Sequence, residues 1–529
     1  MKDITLGPIR KVLNLLCILF YLVMIISVQA STIIKVDGQN GDDTWDGYQW
    51  TYDGDDAGPK KTIRAGVLTA AFLGGGEVWI RQGTYLPSST VNVGDNTLIA
   101  INMPSGVSIY GGFAGNESSR NERDQNPLLT IIDGSLANSG GPANHVIAII
   151  NAQDVIIDGL TITGALNPFP GGDEKKGGGI LCDNSTLNIN ITNCFIRNNE
   201  FDAGIGAYNC ANFPIITNSI IAANGNGVGI HLYYSNAKIQ QCKIIGHSYA
   251  PQGGAVYMDH SHADIAGCII SGNDNGIHAE YSSPNITNTI IEGDDGIAVT
   301  SKGGNPNVKN CTIAGNRDGV YYESSGGIIG NTIIINNSNG VRRTGVENPA
   351  VSYCIFANFQ GDVRDEDTGI TYYGAGQIND LSWAENNYDL QDGELTFVNG
   401  PGGMIDAVGD LSGVCKILTD NDANFPPHSL SGKIVELGQS LYQKALVLDN
   451  SNTTVTIIGS AYSFLGASPG NLYRILDYHL SPGSLAIDRG SSPGMPALDI
   501  DGEARGFDGD GRSGTGDGSE YDIGADELI

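Results

Sequence analysis

The chain has 529 residues, including 74 Gly and 20 Pro, and carries a formal net charge of −30 with a pI near 4.4. So strong an acidic excess excludes a nucleic-acid partner and adhesion to anionic membranes, because phosphate-rich surfaces repel it. A polyanionic ligand would need a local basic site or bridging metal ions.

Residues 1–30 read as an export signal. Lys2, Arg10 and Lys11 precede an apolar run from Val12 to Val28, and Val28-Gln29-Ala30 offers a small-residue cleavage site before Ser31. Retained, the same segment would anchor the chain, and no later segment is long and apolar enough to span a bilayer. The expected location is therefore secreted or cell-surface. An Asp/Gly-rich stretch (Asp37 to Gly58) follows. Lys61 to Leu73 then has helical spacing and is stopped by Gly74-Gly75-Gly76. Val78-Trp79-Ile80, Val107-Ser108-Ile109-Tyr110 and Val155-Ile156-Ile157 read as strands, and Asn167 to Lys176 as a polar insertion.

From Cys194 a short pattern returns eight times: a polar residue, then Cys, Ser or Thr, then an apolar pair. The second residue falls at Cys194, Ser219, Cys242, Cys268, Thr289, Cys311, Thr332 and Cys354, in steps of 21 to 26 residues. A fixed period in this range signals a solenoid, since one repeat cannot bury its apolar face alone. The apolar pieces are short and β-branched, so each period reads as one coil of a parallel β-helix, stacking about 4.8 Å above the last. Two further ladders share the register. Asn199, Asn224, His247, Asn273, Asp294, Asn316 and Asn337 occupy a turn, where stacked amides bond along the axis. Gly-apolar pairs from Gly229-Ile230 to Gly340-Val341 open the next strands. The helix before Gly74 is then a cap over the open end of the coil stack. Of the eight cysteines after the signal, five share the small-residue ladder and read as inward core positions rather than disulfides.

The fold expectation is all-β: a right-handed parallel β-helix over 31–400 with an N-terminal capping helix, a small β insertion at 401–472, and an Asp/Gly-rich segment at 473–529. Counting from the ladder glycines predicts two outward columns. One holds His231, Val256, His278, Ala298, Tyr321 and Arg342; the other holds Tyr233, Met258, Glu280, Thr300, Glu323 and Thr344. Rings and charges on one flat face fit a sugar-binding groove, with Tyr208, His231, Tyr233 and Tyr321 as substrate-binding candidates. His278, Glu280, Glu323 and Arg342 are candidates for catalysis, and Glu280 and Glu323 also offer hard oxygens to Ca²⁺. Asp259-His260-Ser261-His262-Ala263-Asp264 is a further metal candidate, weighed against a solvated turn. In the tail, Asp499, Asp501, Asp508 and Asp510 alternate with Gly as in the first half of a Ca²⁺ loop, without the closing Glu.

The chain resembles exported bacterial right-handed parallel β-helix proteins of the pectin-lyase-like fold. The similarity rests on Gly83-Thr84-Tyr85, Tyr110-Gly111-Gly112-Phe113, Ile157-Asp158-Gly159-Leu160-Thr161-Ile162, Tyr478 to Ser484 and Asp522-Ile523-Gly524-Ala525. The ending is similar to the class that often carries variable C-terminal surface-sorting tails; none is visible before Ile529. A narrower likeness, to polygalacturonase-type glycoside hydrolases, runs through Asn273 to Gly276, Gly293 to Val299, Asp318-Gly319 and Asn339 to Arg342. It implies Asp294 and Asp295 as the acid/base pair and Arg342 as a clamp for a substrate carboxylate. Asn275, Asp318 and Thr344 depart from the expected Asp, His and Lys, and the turn ladder makes Asn-x-Asn-Gly elsewhere too. An extracellular polysaccharide is the expected partner, met by lyase or hydrolase chemistry, and the chain is expected to act as a monomer. The competing reading is a non-catalytic surface spacer.

Overall fold

The computed structural model describes residues 32–92, 98–137, 139–166, 177–200, 203–210, 214–225, 227–248, 254–391, 393–398, 400–412, 415–438, 443–459, 463–493, 496–501, 503–505 and 521–526. The export signal, the insertion at 167–176, and Asp508 and Asp510 lie outside them. No described helix is long and apolar enough to cross a membrane.

The chain winds into a right-handed parallel β-helix of three sheets. The first has 13 strands, from Ile33–Val36 to Ala384–Glu385; the second has 12, from Gly83–Tyr85 to Tyr388–Asp389. The third has 13, parallel except for the end strands Val91–Asn92 and Ile370–Tyr372. One apolar core runs through the stack from Ile34 to Ala384.

The ladders set the corners. The residue before each Cys/Ser/Thr (Asn193, Asn218, Gln241, Gly267, Asn288, Asn310, Asn331, Tyr353) has φ between 47° and 61°, the left-handed turn that carries the chain from the first sheet to the second. The following side chain points inward and ties coils together: Ser219 Oγ accepts from Cys194 N at 3.1 Å, and Thr289 Oγ1 from Cys268 N at 3.4 Å. All eight described cysteines are buried. Burial pushes the thiols of Cys194, Cys311 and Cys354 up to about 12, so they behave as small core residues and not as nucleophiles.

The capping helix spans Ile63–Phe72, with Thr62 Oγ1 accepting from Ala65 N. Ile63, Gly66, Val67 and Ala70 face the first coil; a side chain at Gly66 would meet Val36 at 2.7 Å, so only Gly allows this approach. At the other end a second, unanticipated helix, Gly374–Asn379, seats Ile378 against the core.

Residues 402–476 form a seven-stranded antiparallel sheet whose last strand, Leu472–Leu476, runs past the boundary drawn at 472. This sheet lies on the outer side of the second helix sheet, where Cys415, Ile434, Leu446 and Ile458 pack on Phe195, Ala222 and Ile245. Further along, Leu480, Leu485, Ala486, Ile487 and Ile523 cover Ala314, Ile333, Ile335 and Ile355. The C-terminal stretch is thus a packed strap. Its Arg505 is buried, donating to the carbonyls of Gly524 and Ala525.

Candidate functional site

The outer side of the third sheet carries most of the candidates, in a register that differs from the one expected. His231 pairs with Tyr257, Tyr257 with His278, His278 with Thr300, Thr300 with Tyr321, and Tyr321 with Arg342. The second column runs Tyr233, Asp259, Glu280, Lys302, Glu323 and Thr344. Val256, Met258 and Ala298, expected to point out, are core residues. The slip arises because the small-residue corner is filled by Ala255 and Ala298 in two coils, one and two residues past Gly254 and Gly296. The corrected register adds Tyr257, Asp259 and Lys302, which counting from glycine missed.

In the first column the rings mostly stack on one another. His231 lies 5.1 Å from Tyr257, and Tyr257 lies 5.3 Å from His278. Tyr208 and His231 are buried, with the Tyr208 hydroxyl 2.7 Å from His231 Nδ1, so neither is open to a ligand as expected. Burial, only partly offset by the Glu280 charge, lowers His278 below the ordinary imidazole value and keeps it neutral at pH 7. Tyr321 is half-buried under Arg342, whose guanidinium sits 5.0 Å from the ring. Arg342 also bonds Asp318 at 2.7 Å and Glu366 at 2.8 Å. It is therefore already saturated by carboxylates and is not a free clamp.

The outermost row is more accessible. Tyr233, Tyr234 and Tyr281 are 38%, 50% and 57% exposed. Tyr234, His260 and Tyr281 occupy the left-handed corner after this sheet (φ 46–48°) and stack at 4.8 and 5.1 Å. The row ends where Gly303 takes the corner; a side chain there would meet the Tyr281 ring at 3.0 Å. Beside the rings stand Asp259, Glu280, Lys302 and Glu323, with Tyr257 donating to Glu280 at 3.1 Å and Lys302 3.6 Å from it.

Asp294 and Asp295 do not form a pair on this surface. Asp294 is fully buried in the amide ladder, accepting from Asn273 N at 2.8 Å, while Asp295 is exposed. Burial drives the Asp294 carboxyl well above the usual carboxylate range. Its Oδ2 has no partner and occupies the place where Asn273 and Asn316 carry the nitrogen that donates to Ile244 O and Ile291 O. A protonated carboxyl can donate there; an ionised one cannot. The native state therefore holds a proton that the unfolded chain releases above about pH 4, so stability is lost as pH rises. Asp294→Asn is expected to stabilise the protein by about 1–3 kcal/mol near pH 8, with the gain shrinking toward pH 4, in urea unfolding at the two pH values.

The metal candidates separate too. Ser261 turns inward in a second hydroxyl ladder (Ser235 N to Ser261 Oγ 3.0 Å, Ser261 N to Ser282 Oγ 2.9 Å), which splits Asp259 and His260 on one sheet from Asp264 on another. Asp499 and Asp501 meet residues that the sequence did not link to them. His479 Nε2 lies 2.6 Å from Asp501 and its Nδ1 bonds Asp477, and one ligand atom each of His479, Asp501 and Asp526 falls within 4.8 Å of the others. Hydrogen bonds to Asp477 and Asp501 raise His479 to about 10, and burial pushes Asp526 up to about 6.

The family described as right handed beta helix region matches residues 253–388. No curated protein matches the chain. Among solved structures, the A-module of mannuronan C-5 epimerase AlgE4 from Azotobacter vinelandii is 14% identical, covering 62% of this chain and 90% of its own at a TM-score of 0.36. Pectate lyase Pel9A is 12% identical, covering 67% and 86% at 0.33. Tailspike protein 2 of Escherichia coli O157:H7 bacteriophage CAB120 is 10% identical, covering 88% and 68% at 0.33.

Proposed function

We propose that this is an exported β-helix protein that binds a neutral, hydroxyl-rich polysaccharide along the outer side of its third sheet. The observation that carries the reading is the row of exposed rings, Tyr233, Tyr234, His260 and Tyr281, bordered by Asp259, Glu280, Lys302 and Glu323. A contiguous exposed aromatic patch on a soluble protein marks an interaction surface. Rings offer contact to the C–H faces of a sugar, and carboxylates accept from its hydroxyls. The charges favour a neutral glycan over a uronate, because Arg342 is held by Asp318 and Glu366 and Lys302 stands between Glu280 and Glu323. For the same reason hydrolysis suits the face better than lyase chemistry, which must neutralise a uronate. Glu280 and Glu323 share a column two rungs apart, about 10 Å by strand spacing. That lies just beyond the roughly 6.5–9.5 Å separation of an inverting carboxylate pair, with Lys302 on the rung between them.

Affinity electrophoresis of the mature chain through a neutral glucan, mannan and arabinan, and through polygalacturonate and alginate, tests the reading. Retardation by at least one neutral polysaccharide is expected, and a reducing-sugar assay then reports hydrolysis. Retardation by the acidic polymers alone would overturn the neutral-glycan reading. Retardation by none would leave the solenoid as a rigid surface spacer.

A further inference from the structure

The strap and the antiparallel sheet meet at a cluster that the glycan reading does not use. Asp477 and His479 follow the last sheet strand, Asp499 and Asp501 lie on the strap, and Asp526 sits in its closing turn. Three carboxylates, Asp477, Asp501 and Asp526, thus converge on one imidazole, in a chain with thirty excess negative charges. His479 Nδ1 bonds Asp477, and Asp477 is itself held by Lys433 Nζ at 2.8 Å. A carboxylate behind the imidazole, with Nε2 turned toward further carboxylates, is the arrangement in which a histidine binds a metal. The Nε2 faces Asp501 Oδ2 at 2.6 Å, a contact that a proton bridges in the metal-free chain and that a cation would take over by displacing that proton.

An independent observation comes from Asp499. The residue is 4% exposed, and its Oδ1 accepts from Asp501 N at 3.0 Å and Glu503 N at 2.8 Å. Its Oδ2 is buried without a hydrogen-bond partner. Ile500, between the two aspartates, donates its N–H to Ala525 O, which brings Asp499 and Asp501 alongside Asp526; the charges of both are felt at the Asp526 carboxyl. A buried carboxylate oxygen left without a donor costs free energy unless a cation satisfies it. Beside the cluster, a cavity of about 390 Å³ lined by Lys243, Lys433, His479 and Asp501 provides a path for entry.

We infer that His479, Asp501 and Asp526 bind one divalent cation of the Zn²⁺ or Mn²⁺ type, with the buried Asp499 carboxylate adding negative charge beside them, fastening the C-terminal strap to the antiparallel sheet. The mixed imidazole and carboxylate donors suit a first-row transition metal better than Ca²⁺, which takes oxygen ligands.

The test uses the full mature chain, stripped with EDTA and titrated separately with Zn²⁺, Mn²⁺ and Ca²⁺ by calorimetry, with the thermal midpoint followed in parallel. One equivalent of Zn²⁺ or Mn²⁺ should bind and raise the midpoint. His479→Gln and Asp526→Asn should each weaken binding more than about tenfold and remove that increment, while their EDTA-treated midpoints stay near wild type. Mn²⁺ should show an immobilised electron paramagnetic resonance spectrum that His479→Gln abolishes. The inference is overturned if no cation binds stoichiometrically. It is equally overturned if Ca²⁺ binds as well as Zn²⁺ and His479→Gln changes nothing, since the imidazole is then no ligand.

Discussion

Val320→Asp is expected to destroy the coil stack around it, at a cost of at least about 4 kcal/mol. Val320 is fully buried and pairs with Val299 on one side and Val341 on the other. A carboxylate there meets only apolar neighbours, so the chain must either hold a proton at high cost or open the coil. The neighbour Tyr321 points outward on the same strand, and Tyr321→Ala should cost no more than about 1.5 kcal/mol, the scale of one aromatic contact. Urea unfolding followed by far-UV circular dichroism measures both. Equal losses at the two positions would mean that the alternation of the strand had been misassigned.

The second large effect lies between the antiparallel sheet and the helix. Lys444 Nζ bonds Glu292 at 2.9 Å with both side chains almost fully buried, and Tyr478 and Ser271 donate to the same carboxylate at 2.6 and 3.1 Å. Lys444→Met removes the cation and leaves the charge, so it should destabilise by about 3–5 kcal/mol. Adding Glu292→Gln should return much of that, because the stranded charge, rather than the lost contact, sets the cost. Denaturant unfolding of wild type, single and double variants gives the comparison. A double variant worse than the single would show that the pair is worth more than the charge it neutralises.

The coil period, the inward Cys/Ser/Thr ladder and the first capping helix were legible because each repeats a residue type at a fixed corner or obeys a stop signal. The outward columns were legible in kind but not in register. Gly marks the tight corner only when nothing else small can stand there, and Ala255 and Ala298 can. The fate of Asp294 could have been read from its own ladder: a position filled by Asn in five of seven coils is an inward amide position, and an Asp there inherits that direction. The cover over the second sheet also left a trace. Ile333-Ile334-Ile335 has no polar face, and an apolar run of that kind requires packing on both sides. What the sequence could not reveal is the meeting of His479, Asp501 and Asp526, which depends on how the strap folds back and follows no period.

The most direct measurement is the affinity of a Tyr234→Ala/Tyr281→Ala double variant for the neutral polysaccharide that retards the wild type most. Both rings are exposed at the corner of the third sheet, so the variant should unfold near the wild-type midpoint. Affinity should fall about tenfold or more, the equivalent of two lost ring contacts. Unchanged affinity with an intact fold would contradict the account, because the polysaccharide would then bind elsewhere on the molecule.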